Sequence, residues 1–210
     1  MLENIKSNLK KDLPGIRAWT RMAVRNSKGE IEKKQKYEEW LTNKRKNTLK
    51  KASVLIALFN HENEISFPVI KRPLHEKNHP GQIALPGGSQ EQNETLENTA
   101  KREAYEEMGI NPDKTKIIGK LTPLPVPVSG YLIHPYVGIL DKEPEWKICK
   151  EEVDDFFIVK VSELILSNNG YYEKWNLKNK KLEVPIFKVN NQKIWGATAS
   201  VLSEFIELTK

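Results

Sequence analysis

One cysteine in 210 residues, Cys149, is too few for an internal disulfide or a cysteine-built zinc site. No histidine stands beside it to lower its pKa, so it is not read as a nucleophile. Long apolar runs are also missing: nothing approaches the roughly 18 residues needed to cross a bilayer. The first residues, Met1 to Asp12, mix Lys, Glu and Asn where a secretory signal would be apolar. These absences lead to the expectation of a cytoplasmic protein with no membrane partner. Internal repeats and low-complexity tracts are absent too. What is present, 38% hydrophobic and 30% charged residues, suits a globular protein, and the length suits one domain spanning residues 1–210.

The net charge of +6 favours anionic ligands. Much of the excess lies in two runs, Lys33 to Lys51 and Lys174 to Lys181, where Glu or Asn interrupts the lysines, so both are read as solvated helix faces or loops. No basic surface interleaved with aromatics is legible, and nucleic acid is not an expected partner.

The first 51 residues read as a mainly helical extension, interrupted at Leu13-Pro14-Gly15, with Tyr37, Trp40 and Leu41 at helical spacing. From Ala52 the pattern changes. Ser53 to Phe59 and Ile65 to Lys71 are β-branched runs around a turn at Asn60 to Asn63, which predicts a hairpin. Further strands are predicted at Gln82 to Leu85, Lys116 to Leu121, Tyr131 to Leu140, Asp155 to Val159 and Leu182 to Phe187. Helices are predicted at Thr95 to Met108, Val161 to Leu166 and Ala197 to Leu208. Strands and helices interleave without a regular βαβ rhythm, so the expected class is α+β, a mixed sheet with helices outside.

The segment richest in chemistry runs from Gly88 to Ile110. Thr95 can cap a helix there and Gly109 can end it. Leu96, Ala100, Ala104 and Met108 recur at steps of four and form the buried stripe. Glu103, Glu106 and Glu107 stand at i, i+3 and i+4, on one strip about a quarter-turn away. Like charges at that spacing cost about 0.2–0.5 kcal/mol even when exposed. A bound cation reverses the sign, and hard divalent ions prefer oxygen ligands, so these three glutamates are the expected ligands, with a carbonyl from Gly88 as a further one. Arg102 can pair with Glu94 and hold the loop against the helix.

The same segment resembles the signature of the Nudix hydrolase family, G-x5-E-x7-R-E-U-x-E-E-x-G-U with U bulky aliphatic. It matches at Gly88, Glu94, Arg102, Glu103, Glu106, Glu107, Gly109 and Ile110. Seven fixed positions at background frequencies near 7% give a chance match on the order of 10⁻⁸ per window. Ala104 is smaller than the pattern asks, which bears on packing more than on chemistry. The resemblance implies an α/β/α sandwich whose box loop and helix, residues 88–110, bind Mg²⁺ or Mn²⁺ and hydrolyse a nucleotide-linked diphosphate. It implies Glu103, Glu106 and Arg102 in the catalytic set. Glu106 is the first candidate for the residue that orients or deprotonates water, and Glu152 is its rival. Homodimers are frequent in the family, so pairing of two chains is a further expectation.

Upstream, Val69 to Gly88 resembles the extra signature of the coenzyme A pyrophosphatase branch, LLTxR[ST]xxxRxxxGxxxFPGG. Arg72, Gly81, Pro86, Gly87 and Gly88 are in register; Pro73, Lys77 and Leu85 depart from it. Lys77 keeps the charge of the usual Arg but loses its planar fork. The implied substrate is coenzyme A or a thioester of it, cut to 4′-phosphopantetheine and adenosine 3′,5′-bisphosphate. Arg72 and Lys77, with Gly87 and Gly88, are the implied substrate contacts, and Lys71 is a third candidate cation. His75 and His79 flank the loop, where histidines are usually solvated. Other substrates of the family, ADP-ribose, dinucleoside polyphosphates and damaged nucleoside triphosphates, are the alternative. A silent nucleotide-binding regulatory module would be expected to lose ligand glutamates, and all three are present.

Overall fold

Two long strands organise the molecule in a computed structural model, which describes residues 1–31, 38, 40–42, 47–76, 79–167, 171–177 and 180–210. Among the described residues, the α-helices with full bounds are, in chain order, α1 (Leu2–Asn8), α2 (Ile16–Trp19), α3 (Leu96–Met108), α4 (Val161–Leu166) and α5 (Gly196–Glu207). The first strands are β1 (Arg25–Asn26), β2 (Lys50–His61), β3 (Glu64–Lys71), β4 (Ile83–Ala84) and β5 (Gly87–Ser89). They are followed by β6 (Thr115–Lys120), β7 (Leu124–Val126), β8 (Tyr131–Leu140) and β9 (Asp155–Lys160). The last four are β10 (Tyr172–Leu177), β11 (Lys180–Pro185), β12 (Phe187–Val189) and β13 (Gln192–Ile194).

The main sheet runs β4-β3-β2-β8-β6, with β5 on β2, β7 on β8 and β9 on β3. β2 and β8 pair in parallel, from Lys50 opposite Tyr131 to Leu58 opposite Ile139. That pairing needs a crossover, and α3 lies within it. The apolar run of β2 divides between two cores. Ile56 and Leu58 pack with Phe67, Val69 and the α5 residues Leu202, Phe205 and Ile206. Leu55, Ala57 and Phe59 pack with Ala100, Ala104 and Met108 of α3. A sheet buried on both faces explains why β2 is apolar without alternation. The result is a mixed sheet between helices, of the expected α+β class.

The N-terminal segment closes the α5 face. Ile5 and Trp19 belong to that core, and the stretch contains the short strand β1 besides its helices. Trp40 and Leu41 are helical, whereas Tyr37 lies outside the described residues. The Lys174 to Lys181 reading requires correction. Its described lysines lie on the β10–β11 pair, which joins β1 in a three-stranded sheet. Leu182 and Val184 point into a small core with Trp175 and Trp195, so alternation set the strand while the lysines masked it. Among the described residues no helix is long and apolar enough to cross a membrane.

Candidate active site

The strand β5 brings backbone against the glutamate helix. Gly88 pairs with Ser53 on β2, and a Cβ on Gly88 would fall on the Glu103 carboxylate. At Gly87 a Cβ would collide with the Ser53 carbonyl and Val54. Gly87 thus lets the loop lie tight against β2, and Gly88 leaves the Glu103 carboxylate room beside the backbone. The helix forms as its ends demand: Thr95 Oγ1 accepts from the Asn98 N–H at 3.2 Å, and Gly109 terminates it at φ 77°.

Arg102 is the hub of the polar side. Its Nε donates to Glu94 at 2.9 Å, Nη1 to Glu106 at 2.7 Å and Nη2 to Glu103 at 2.9 Å and the Ser89 carbonyl at 3.1 Å. Its pKa is raised, chiefly by the Glu94 hydrogen bond. Burial acts to raise the Glu94 pKa, but hydrogen bonds from Arg102 and Thr99 outweigh it and hold Glu94 low.

The three expected ligands occupy different environments. Glu106 is exposed, its side chain at 48%. Glu103 is largely covered, and burial raises its pKa against the pull of Arg102, helped by the charges of Glu106 and Glu152. Glu107 is 4% exposed and accepts one backbone N–H, from Gly87 at 2.9 Å. Burial pushes its pKa up to about 8; the Gly87 bond and Arg72 oppose that, while Glu103 and Glu152 add to it. A buried acid and a largely covered neighbour, both with pKa raised by burial and by nearby carboxylates, form a site short of positive charge.

Glu152 is brought in by a segment docked on the end of α3. The Lys147 N–H donates to the Met108 carbonyl and the Cys149 N–H to the Glu107 carbonyl, both at 3.0 Å. Glu152 is exposed, and its charge reaches both Glu103 and Glu107. Arg72, on the loop after β3, bears electrostatically on Glu107 and pairs with Glu76. Lys77 lies outside the described residues. Lys71 is engaged by Asp154 at 2.7 Å, His79 contacts Gln82 at 3.1 Å, and Trp195 packs edge-on against Trp175. Glu76 was missed by sequence reasoning; its i, i+4 spacing from Arg72 was the available signal.

Among the described residues no three acidic, His or Cys side chains converge as a ready ligand cage. Arg102 holds Glu103 and Glu106, and Glu107 turns to Gly87, so the single strip expected from helical spacing is divided in two. The donor chemistry nonetheless suits a hard divalent ion: Glu103 and Glu107 supply oxygens only, are largely shielded from water, and the charge of Glu103 bears on Glu107.

Comparison with known proteins agrees with this architecture. The profile of the NUDIX domain matches residues 49–180. NudL, a Nudix hydrolase of Enterobacter sp. (strain 638), is 31% identical over 156 residues, covering 74% of this chain and 80% of its own. Nudix hydrolase 3 of Caenorhabditis elegans is 28% identical over 174 residues, covering 74% of this chain and 72% of its own. A crystal structure of a MutT/nudix family protein from Enterococcus faecalis shares the fold at TM-score 0.51 and 15% identity, over 77% of this chain and 62% of that one. With more than half its length matched to the domain, and with the buried acids lying inside the matched span, the chain belongs to the Nudix hydrolase family.

Proposed function

We propose that this Nudix hydrolase cleaves the diphosphate of coenzyme A or a thioester of it, using Mg²⁺ or Mn²⁺, and releases 4′-phosphopantetheine and adenosine 3′,5′-bisphosphate. The observation that carries the hydrolase reading is the buried Glu107, facing the charge of the largely covered Glu103, with Gly87 and Gly88 against them. The substrate choice is supported by Arg72, Gly81 and Pro86-Gly87-Gly88 standing in register with the coenzyme A signature, and by the position of Arg72 beside Glu107.

Glu103, Glu106, Glu107 and the Gly88 carbonyl would hold the ion. When bound, it supplies positive charge against the diphosphate oxygens and makes nearby water a stronger acid. Arg102 keeps the loop and helix in register by spanning Glu94, Ser89, Glu103 and Glu106. Glu152 replaces Glu106 as the favoured proton acceptor, because Glu106 is tied to Arg102 whereas Glu152 is exposed and its charge reaches Glu103 and Glu107. Water attacks phosphorus, one anhydride P–O bond breaks, and the proton of the water passes to the carboxylate. Gly87, Arg72 and Lys77 complete the substrate contacts.

One assay tests the substrate: coenzyme A, dephospho-coenzyme A, ADP-ribose and a dinucleoside polyphosphate compared at equal concentration with Mg²⁺ or Mn²⁺. Coenzyme A is expected to be cut fastest. Equal rates on coenzyme A and its dephospho form would remove the case for a reader of the extra phosphate, and faster cleavage of ADP-ribose or the polyphosphate would replace the substrate.

A further inference from the structure

Arg72 is fixed at the base of the loop between β3 and β4. Its N–H donates to the Gln82 carbonyl at 3.0 Å, and its own carbonyl accepts from the Gly81 N–H at 3.1 Å. The guanidinium pairs through Nη2 with Glu76, and the two side chains are only 29% and 23% exposed. Its Nε is buried and has no hydrogen-bond partner among the described residues. A guanidinium offers five N–H donors in a planar fork, so one carboxylate contact with a stranded Nε leaves it incompletely satisfied.

We propose that Glu76 is a specificity residue, an internal stand-in for a substrate phosphate that holds Arg72 until a phosphate group of the ligand displaces it. The inference rests on reading the site as one for a nucleotide-linked diphosphate. Glu76 is tethered four residues from Arg72, so its effective concentration is at least millimolar, and a stray anion at micromolar concentration does not displace it. A phosphate on a ligand already anchored at the glutamates is tethered as well. It brings three oxygens and up to about two charges, and it can meet Nε and Nη2 together as a bidentate pair. Arg72 thereby responds to anchored phosphates and ignores loose ones, while the apparent affinity falls by the fraction of time that Glu76 occupies the guanidinium.

The test is calorimetric titration with Mg²⁺ present, using adenosine 3′,5′-bisphosphate and inorganic pyrophosphate as separate probes. Wild type, Glu76→Gln, Arg72→Gln and the double variant are compared. Glu76→Gln is expected to bind at least one probe about tenfold more tightly, and the gain is expected to vanish in the Arg72→Gln background. Tightening for the bisphosphate alone identifies a ribose phosphate as the displacing group; tightening for pyrophosphate alone identifies the diphosphate. Glu76→Asp, which keeps the charge but shortens the reach, is expected to shift affinity in the same direction by less, and it serves as the test if the Gln variant does not fold. Unchanged or weaker binding of both probes, tightening that persists without Arg72, or no binding to any variant overturns the inference. Hydrolysis assays separate it from the substrate reading. Tightening without coenzyme A turnover defeats only the substrate, and turnover without tightening defeats only the role of Glu76.

Discussion

Each face of the main sheet is covered by a helix that buries a glutamate, and the two acids are treated in opposite ways. Glu204 on α5 is fully buried and is well supplied with donors. It accepts from the Gly15 N–H at 3.0 Å, Trp19 Nε1 at 3.2 Å, Thr122 Oγ1 at 2.6 Å and the Thr122 N–H at 3.3 Å. Those bonds tie the N-terminal segment and the end of β6 to the last helix. Glu107 on α3 is nearly as buried but receives one N–H and faces the charges of Glu103 and Glu152. A buried carboxylate with its donors complete is scaffold, whereas one left short of donors among like charges marks a place where a ligand completes the structure.

Exchanging the two acids for amides is the strongest way to break this comparison. Glu107→Gln is expected to lower kcat/KM on the preferred diphosphate by about 10³-fold or more while the melting temperature stays level or rises, because the change removes repulsion along with a ligand oxygen. Glu204→Gln is expected to do the reverse. It presents an amide N–H₂ to the donors of Thr122 and Gly15, costing about 2 kcal/mol in denaturant unfolding with kcat of the folded enzyme retained. Similar outcomes for the two variants would erase the distinction. Next in size, Glu152→Gln is expected to lower kcat by about 10²-fold or more with metal affinity close to wild type. An equal loss of metal binding would make Glu152 a ligand instead.

The pH dependence of stability sharpens the same contrast. The folded-state pKa of Glu107 is raised from 4.5 to about 8, so the folded state holds a proton that the unfolded chain releases. Its contribution to stability is complete below pH 4.5 and is lost as pH rises through about 8. In chelator, thermal unfolding of wild type is expected to lose stability across that window, and Glu107→Gln is expected to lose less of it. Identical profiles would show that Glu107 ionises without cost. The smallest expected effect is that of Thr95→Ala, which removes the cap of α3 and costs about 1 kcal/mol, measured by denaturant unfolding with the site residues untouched.

The legible parts of the molecule were those decided locally. The bounds of α3 follow from Thr95 and Gly109, and β8 and α4 occupy the predicted residues. The functional helix was legible because its acids share one turn of the chain, so spacing alone brings them near each other. Their separate fates were not, since these depend on Gly87, Arg102 and the 147–153 segment reaching in from elsewhere. The Glu204 cluster was hidden for the same reason: Gly15 and Trp19 lie 189 and 185 residues away in sequence. The strands β5 and β7 have three residues each, with Gly or Pro inside them, too short and too atypical for a periodic pattern to register. In β10 and β11 the lysines concealed an alternation that Trp175, Leu182 and Val184 satisfy.

Titrating Mn²⁺ into the chelator-treated protein, with bound ion followed by electron paramagnetic resonance, tests the central claim most directly. Wild type is expected to take up the ion saturably, with affinity rising as pH approaches about 8, and Glu107→Gln is expected to lose most of that binding while Glu204→Gln keeps it. Uptake that is absent in wild type, or indifferent to Glu107→Gln, would contradict the account.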